Sequence, residues 1–365
     1  MTKPALKAEL RALLDKQPCY RVSILPTPLI ELPRFSAALG GPRIFMKRDD
    51  MTGRAYGGNK ARKLDYFIGE AVAQGCDVFI AGGGAVQSNH ALMCAAAARK
   101  AGLKPVIFAR HGSLHYELQG DYLLTKLLVD GGVYLYTNED LAGKTHRYRP
   151  QLVDLMQQVA ADLRAKGFNP YILTGSGQPA GTLGYVECAL ELTEQWEALG
   201  FEPDWIFLTS SGGGQAGLLV GSRFLEQTHT VVGCAPAPYG SDAARAATVA
   251  DLANRTAQLL GVDLQIEAAT VTNLSYGGEA YGVPTQAGLE ALHLLARTEG
   301  IFLDPVYTSK GVAGLIDQIS QGVVGPHETV IYIHTGGLPL NFAYSNELAE
   351  AFDLSLSSDQ WLDVD

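Results

Sequence analysis

Short β-branched and aromatic runs alternate with longer stretches of helical periodicity along this chain, and several of the runs stop at glycine. "VFIAGG" at 78–83, "PVIFAR" at 105–110, "VYLYT" at 133–137 and "YILTG" at 171–175 come first. "WIFLTSS" at 205–211, "VVGCAP" at 231–236 and "VIYIHTGG" at 330–337 follow. Between them, "ARKLDYFIGEAVAQG" and "GTLGYVECALELTEQWEALG" repeat apolar residues at helical spacing. This alternation predicts parallel sheets wrapped by helices, the α/β class. The runs are nearly continuous in apolar residues, as strands buried on both faces are. In open parallel sheets a ligand lies beyond the carboxyl ends of the strands, where glycine lets the backbone approach it. A small-molecule site along those strand ends is therefore expected.

Composition removes other classes. A length of 365 residues suggests about two domains, and no low-complexity linker or repeat marks a boundary. Hydrophobic content of 47% and charged content of 18% describe a packed globular protein, not a disordered one. A formal charge of −10 argues against a nucleic-acid face. The opening "MTKPALKAELRALLDKQP" is amphipathic and charged, so neither a signal peptide nor a membrane span is expected. Cys19, Cys76, Cys94, Cys188 and Cys234 are scattered, with no zinc-ligand spacing. A reduced, cytoplasmic protein without a metal is the expectation.

Three junctions carry the chemistry. In "TSSGGGQAGLL", Thr209 to Leu219, a strand runs through three glycines into a helix. Backbone N–H groups there form a cradle for phosphate, to which Ser210 and Ser211 add hydroxyls. A tight turn without a ligand would read the same. In "AVQSNHALMC", Ser88 or Asn89 would cap a helix whose free N–H groups suit a carboxylate. His90, on its own, is an ordinary helix-start residue. In "YGGNKARKLDY", Lys60, Arg62 and Lys63 crowd a helix start, where cations are unfavourable unless an anion faces them. A lysine amine that joins a carbonyl as a Schiff base, together with a phosphate cup, meets the requirement of pyridoxal phosphate. Lys63 lies one turn from Lys60 and would face the same side.

With these go "LPTPLIELPRFSAALGGPRIFMKRDDMTG", "AYGVPT", "DPVYTSKGVAGL" and "HTGGLP". Together, in order and over nearly the whole chain, they resemble the D-cysteine desulfhydrase and 1-aminocyclopropane-1-carboxylate (ACC) deaminase family. The resemblance implies a pyridoxal-phosphate enzyme of the tryptophan synthase β-like fold, with two open parallel-sheet domains and the cofactor in the cleft between them. It implies a large domain of residues 1–60 plus 174–365 and a small inserted domain of 61–173. It implies that Lys60 links to the cofactor and shuttles the α-proton. Asn89 would contact the cofactor's ring oxygen, and Ser88 and His90 the substrate carboxylate. Ser210, Ser211, Gly212, Gly213 and Gly214 would hold the phosphate. Tyr281 and Tyr307 would reach a small amino-acid substrate, and a homodimer is expected.

Departures from the family pattern bear on the substrate. "QSNHALMC" stands where an arginine usually follows, "GSGQPAG" at 175–181 replaces "GGSNPLG", and Ala61 replaces a threonine. Thr308 stands where the ACC deaminase branch carries a glutamate facing the pyridine nitrogen. A neutral hydroxyl would leave that nitrogen unprotonated, a poorer electron store suited to prompt loss of a leaving group. The expectation is thus β-elimination from D-cysteine, giving pyruvate, ammonia and sulfide, with L-cysteate or another β-substituted alanine as variants. The alternatives are ACC deamination to 2-oxobutyrate and a non-catalytic binder of the cofactor.

Overall fold

A computed structural model describes residues 2–111, 115–137, 150–175, 177–210, 212–238 and 240–354. In chain order its strands are β1 (Leu29–Glu31), β2 (Arg43–Lys47), β3 (Val78–Ala85), β4 (Lys104–Arg110) and β5 (Tyr134–Tyr136). Then come β6 (Pro170–Ile172), β7 (Trp205–Thr209), β8 (Thr230–Ala235), β9 (Thr272–Ser275) and β10 (Thr329–Ile333). They form a six-stranded sheet ordered β1-β2-β10-β7-β8-β9 and a four-stranded sheet ordered β5-β4-β3-β6. The smaller sheet is parallel throughout. In the larger one, β1 alone runs antiparallel to its neighbour β2. Only the short helix Pro33–Ala38 separates those two strands, and an antiparallel pair needs no long crossover.

The expected runs are strands in their apolar parts and most become loops in their glycine tails, but "VFIAGG" stays a strand through its glycines to Ala85. "WIFLTSS" stops as a strand at Thr209, and "VIYIHTGG" stops at Ile333. Both faces of the central strands are buried. Ile206 and Leu208 of β7 enter one cluster with Ile331, Ile333 and Phe45, while Phe207 enters another with Tyr332 and Val232. Each such side chain, withdrawn from water, contributes roughly 1.5–3 kcal/mol.

Helices bring the candidate loops together. The Lys60–Ala73 helix packs on the Pro179–Leu199 helix, which in turn packs on the Gly213–Phe224 helix. The backbones touch at glycine. A Cβ on Gly184 would lie 2.3 Å from the Arg62 carbonyl, and one on Gly217 2.5 Å from the Thr182 carbonyl. Lys60 and the triple-glycine turn thus head two helices that flank one central helix. Among the described residues no helix is long and apolar enough to cross a membrane.

Candidate active site

Backbone contacts from three segments fix the approach to Lys60. The Thr52 hydroxyl donates to the Gly58 carbonyl at 2.9 Å and accepts the Gly58 N–H at 2.8 Å. The Asn59 N–H donates to the Thr335 carbonyl at 3.0 Å, and Gly58 pairs with Gly336 across an antiparallel bridge. Gly58 sits at φ 133°, where a Cβ would stand 2.7 Å from Asn89 Nδ2. Glycine is therefore needed there for both its conformation and the space. The Lys60 ammonium donates to Asn59 Oδ1 at 3.0 Å.

The three crowded cations separate into two groups. Arg62 turns away from Lys60 and answers to anions of the protein itself. Its guanidinium donates to Asp49 Oδ1 and Oδ2 at 2.8 Å, to Glu191 Oε2 at 2.9 Å and Oε1 at 3.0 Å, and to Thr27 Oγ1 at 3.0 Å. Lys47 also pairs with Glu191, and the Tyr185 hydroxyl donates to Asp49 at 2.8 Å. Burial raises the Asp49 carboxyl, but Arg62 and Lys47 outweigh it and hold it below the usual range. An external anion is needed only for the other two. Burial pushes Lys60 down to about 8; burial and then Lys60 push Lys63 down to about 7. Burial and both lysines press His90 down to about 3, so its ring is neutral. That ring lies 3.6 Å from the Cys94 thiol, which burial raises. Lys60, Lys63, His90 and Cys94 form one buried cluster whose members shift one another's charge.

Ser88 caps the Asn89–Lys100 helix, accepting the Ala91 N–H at 3.3 Å. Asn89 opens that helix beside Gly58, and its Oδ1 is buried without a hydrogen-bond partner. The triple-glycine turn heads the Gly213–Phe224 helix. Ser210 Oγ accepts the Gly212 N–H at 3.0 Å, and Gly212 takes φ 132° with open space where a Cβ would be. Gly213 and Gly214 form the first turn of that helix. Ser211, expected in the same cup, lies outside the described residues.

Asp304, which the sequence did not single out, links these parts. It accepts the N–H groups of Val306 at 3.0 Å, Tyr307 at 2.7 Å and Thr308 at 2.8 Å, and so heads the Thr308–Ser320 helix. The Thr308 hydroxyl donates to Asp304 Oδ2 at 2.5 Å and accepts the Asp304 N–H at 2.8 Å. The expectation about Thr308 took its proton as available; Asp304 has it. Gly337, next to Gly336, would bring a Cβ within 2.9 Å of Asp304 Oδ2. Tyr332 donates to the Thr308 carbonyl at 2.9 Å and bonds the Thr209 hydroxyl at 2.9 Å, one residue before Ser210. The path from Gly58 through Gly336, Asp304, Thr308 and Tyr332 to Ser210 is thus continuous. Tyr281 and Tyr307 are half-buried at its margin. Tyr332 and Asp49 carried no local signal because their side-chain partners are distant in sequence, whereas Asp304 stands four residues before Thr308, the spacing of a side chain that caps a helix start.

These residues fit pyridoxal phosphate. Lys60 offers a desolvated amine, Asn89 Oδ1 and Thr335 Oγ1 are buried without partners on either side of Gly58, and the Gly212 turn leaves room for an anion. Lys63 and the Ser210–Gly214 turn would hold a phosphate. Once bound, the cofactor supplies an electron sink for a bond broken at the substrate's α-carbon.

Known proteins agree with this geometry. Residues 20–336 match the family model described as pyridoxal-phosphate dependent enzyme. The chain is 37% identical over 344 residues to a Pyrococcus abyssi protein named "Putative 1-aminocyclopropane-1-carboxylate deaminase", covering 93% of this chain and 97% of the relative. A Pyrococcus furiosus protein of the same name is 37% identical over 348 residues, covering 93% and 98%. The crystal structure of an ACC deaminase homologue superposes with a TM-score of 0.82 at 34% identity, over 94% of this chain and 99% of that one. The processed form of threonine deaminase isoform 2 from Solanum lycopersicum shares the fold alone, with a TM-score of 0.62 at 17% identity over 97% and 90%. A lysine whose burial eases loss of its proton, an open glycine cup and a match along most of the chain converge on one conclusion: this protein belongs to the pyridoxal-phosphate dependent enzymes, with the tryptophan synthase β-like fold.

Proposed function

We propose that the protein is a deaminating lyase of the ACC deaminase type, which releases ammonia and a 2-oxo acid from a small amino acid. In this reading Lys60 binds the cofactor and moves the α-proton. The Ser88–His90 helix start holds the substrate carboxylate, with Tyr281 and Tyr307 facing the substrate from the other side. Residues 61–173 act as a small domain that closes on the rest, in keeping with the position of all four strands of the smaller sheet between residues 78 and 172. A cytoplasmic homodimer belongs to the proposal on family resemblance alone.

The observation that carries this choice is the Asp304–Thr308 pair. With its proton given to the carboxylate, the Thr308 oxygen keeps one lone pair beyond the one that accepts the Asp304 N–H. A lone pair where the ring nitrogen belongs favours a protonated nitrogen, which stores charge well enough for ring opening. The names of the two Pyrococcus relatives support the same side, so D-cysteine β-elimination becomes the second reading. In its favour, a hydroxyl holds that proton less firmly than the glutamate of the ACC deaminase branch.

Product identity tests the choice. ACC should yield 2-oxobutyrate and ammonia. Pyruvate and sulfide from D-cysteine, with no 2-oxobutyrate from ACC, would select the second reading, and absence of any 2-oxo acid across a panel of small amino acids would overturn both.

A further inference from the structure

Lys310 is fully buried, and among the described residues it makes no ion pair with a carboxylate. Its ammonium instead donates to three backbone carbonyls: Gly277 at 2.7 Å, Pro236 at 3.1 Å and Ala280 at 3.2 Å. Three donors meet three acceptors, so the group is saturated. Burial pushes it down to about 8 while Asp304 works the other way, which keeps it an ammonium at neutral pH.

The three carbonyls come from the two loops that follow the paired strands β8 and β9. Pro236 follows β8; Gly277 and Ala280 follow β9 and lead into Tyr281. The loops touch, since a Cβ on Gly277 would lie 2.3 Å from the Ala237 backbone. On the far side of Tyr281, the Gly282 carbonyl accepts the Tyr344 hydroxyl at 2.6 Å. Converging carbonyl dipoles repel one another unless a cation sits among them. Ammonium and potassium are the ions that such oxygens suit, because the oxygens replace a hydration shell.

We propose that Lys310 is a tethered cation: a positioning residue that holds the Tyr281 loop by filling a carbonyl cage built for a free monovalent ion. The role of Tyr281 against the amino acid rests on the proposed function; the cage does not. The cage also explains a cation in the first turn of the Thr308–Ser320 helix, where the helix dipole opposes it. The carbonyls on its ammonium outweigh that repulsion.

Removing the side chain should leave a vacancy that a small cation refills. The holoenzyme of Lys310→Ala is compared with wild type in potassium, ammonium and choline chloride at equal ionic strength. Three quantities are read: melting temperature, hydrogen exchange of residues 277–282, and KM for ACC or D-cysteine, whichever wild type turns over. In choline the variant should melt lower, exchange faster in that loop and show a KM raised about tenfold, the scale of losing a charged hydrogen bond. Potassium or ammonium should restore all three, and wild type should not respond. Lys310→Met fills the space without charge and should keep the defect in every salt. The proposal is overturned if choline serves as well as ammonium, if Lys310→Ala is insoluble in all three salts, or if Lys310→Met behaves as wild type. If wild type turns over neither amino acid, the functional reading fails, while melting and exchange still judge the cage.

Discussion

An ordinary lysine at neutral pH is an ammonium and cannot attack an aldehyde. With its acidity near 8, Lys60 carries the free amine in about one molecule in ten at pH 7, against roughly one in a few thousand for an unperturbed lysine. The sign follows from burial: the lowered value means that the amine fraction grows as pH rises through about 8, not through 10.5. Reconstitution of cofactor-free protein with pyridoxal phosphate should therefore quicken up to about pH 8 and then level off. It should give a visible band that borohydride bleaches. Lys60→Ala should show no such bleaching; a rate still climbing at pH 10, or a bleachable band in Lys60→Ala, would contradict the assignment. Gly58 supplies a second test. A methyl group there would press on Asn89 Nδ2 at 2.7 Å and the Thr335 carbonyl at 3.0 Å. Gly58→Ala should lose cofactor on dialysis about tenfold faster than wild type with unchanged circular dichroism, on the scale of one lost polar contact; equal retention would show that Asn89 does not serve the cofactor. The spacing of Lys60 and Lys63 was legible in the sequence because it is local. The fate of Arg62 was not, since its partners Asp49 and Glu191 lie far off along the chain.

Among elements, the strands easiest to foresee were those of long apolar run, β3, β4, β7, β8 and β10, because burial on both faces demands such composition. β2, "RIFMK", hides its apolar centre between charged ends, and Lys47 is buried only because Glu191 meets it. β9, "TNLS", is mostly polar and β1, "LIE", ends in a charge, so neither shows the apolar run that marked the equally short β5 and β6. Within "GSGQPAG" the last glycine, Gly181, matches the family pattern, and a Cβ there would strike the Phe67 ring at 2.3 Å, so it serves helix packing. The buried network under the Lys60 helix is what fixes that helix on its neighbour. Arg62→Met would strand Asp49 and half of Glu191, a change that typically costs about 3–5 kcal/mol. Denaturant unfolding should register that loss, and an unchanged midpoint would mean that the network contributes no net stability.

At the scale of the whole molecule, the candidate site draws on both ends of the chain. The alternation of apolar runs with helical stretches made the fold class readable, because parallel strands need long, usually helical, crossovers. What the alternation concealed was the cross-bracing: Asp304 to Gly337, Tyr332 to Thr209, Lys310 to the loops after β8 and β9. Lys310 is aimed at backbone carbonyls, Asp304 meets a glycine without a side chain, and Tyr332 lies far from Thr209 along the chain, so none leaves a complementary residue nearby to find. One piece of that bracing has a consequence for biosynthesis. β2 can take its inner neighbour only when β10 arrives, with Arg43 opposite Thr329, and Gly58 can meet Gly336 only then. Lys60 is translated before β10, and its surroundings wait for that strand. A nascent chain with β10 still inside the exit tunnel would have the lysine and the glycine cup without the wall that joins them, so cofactor capture waits for β10 to emerge.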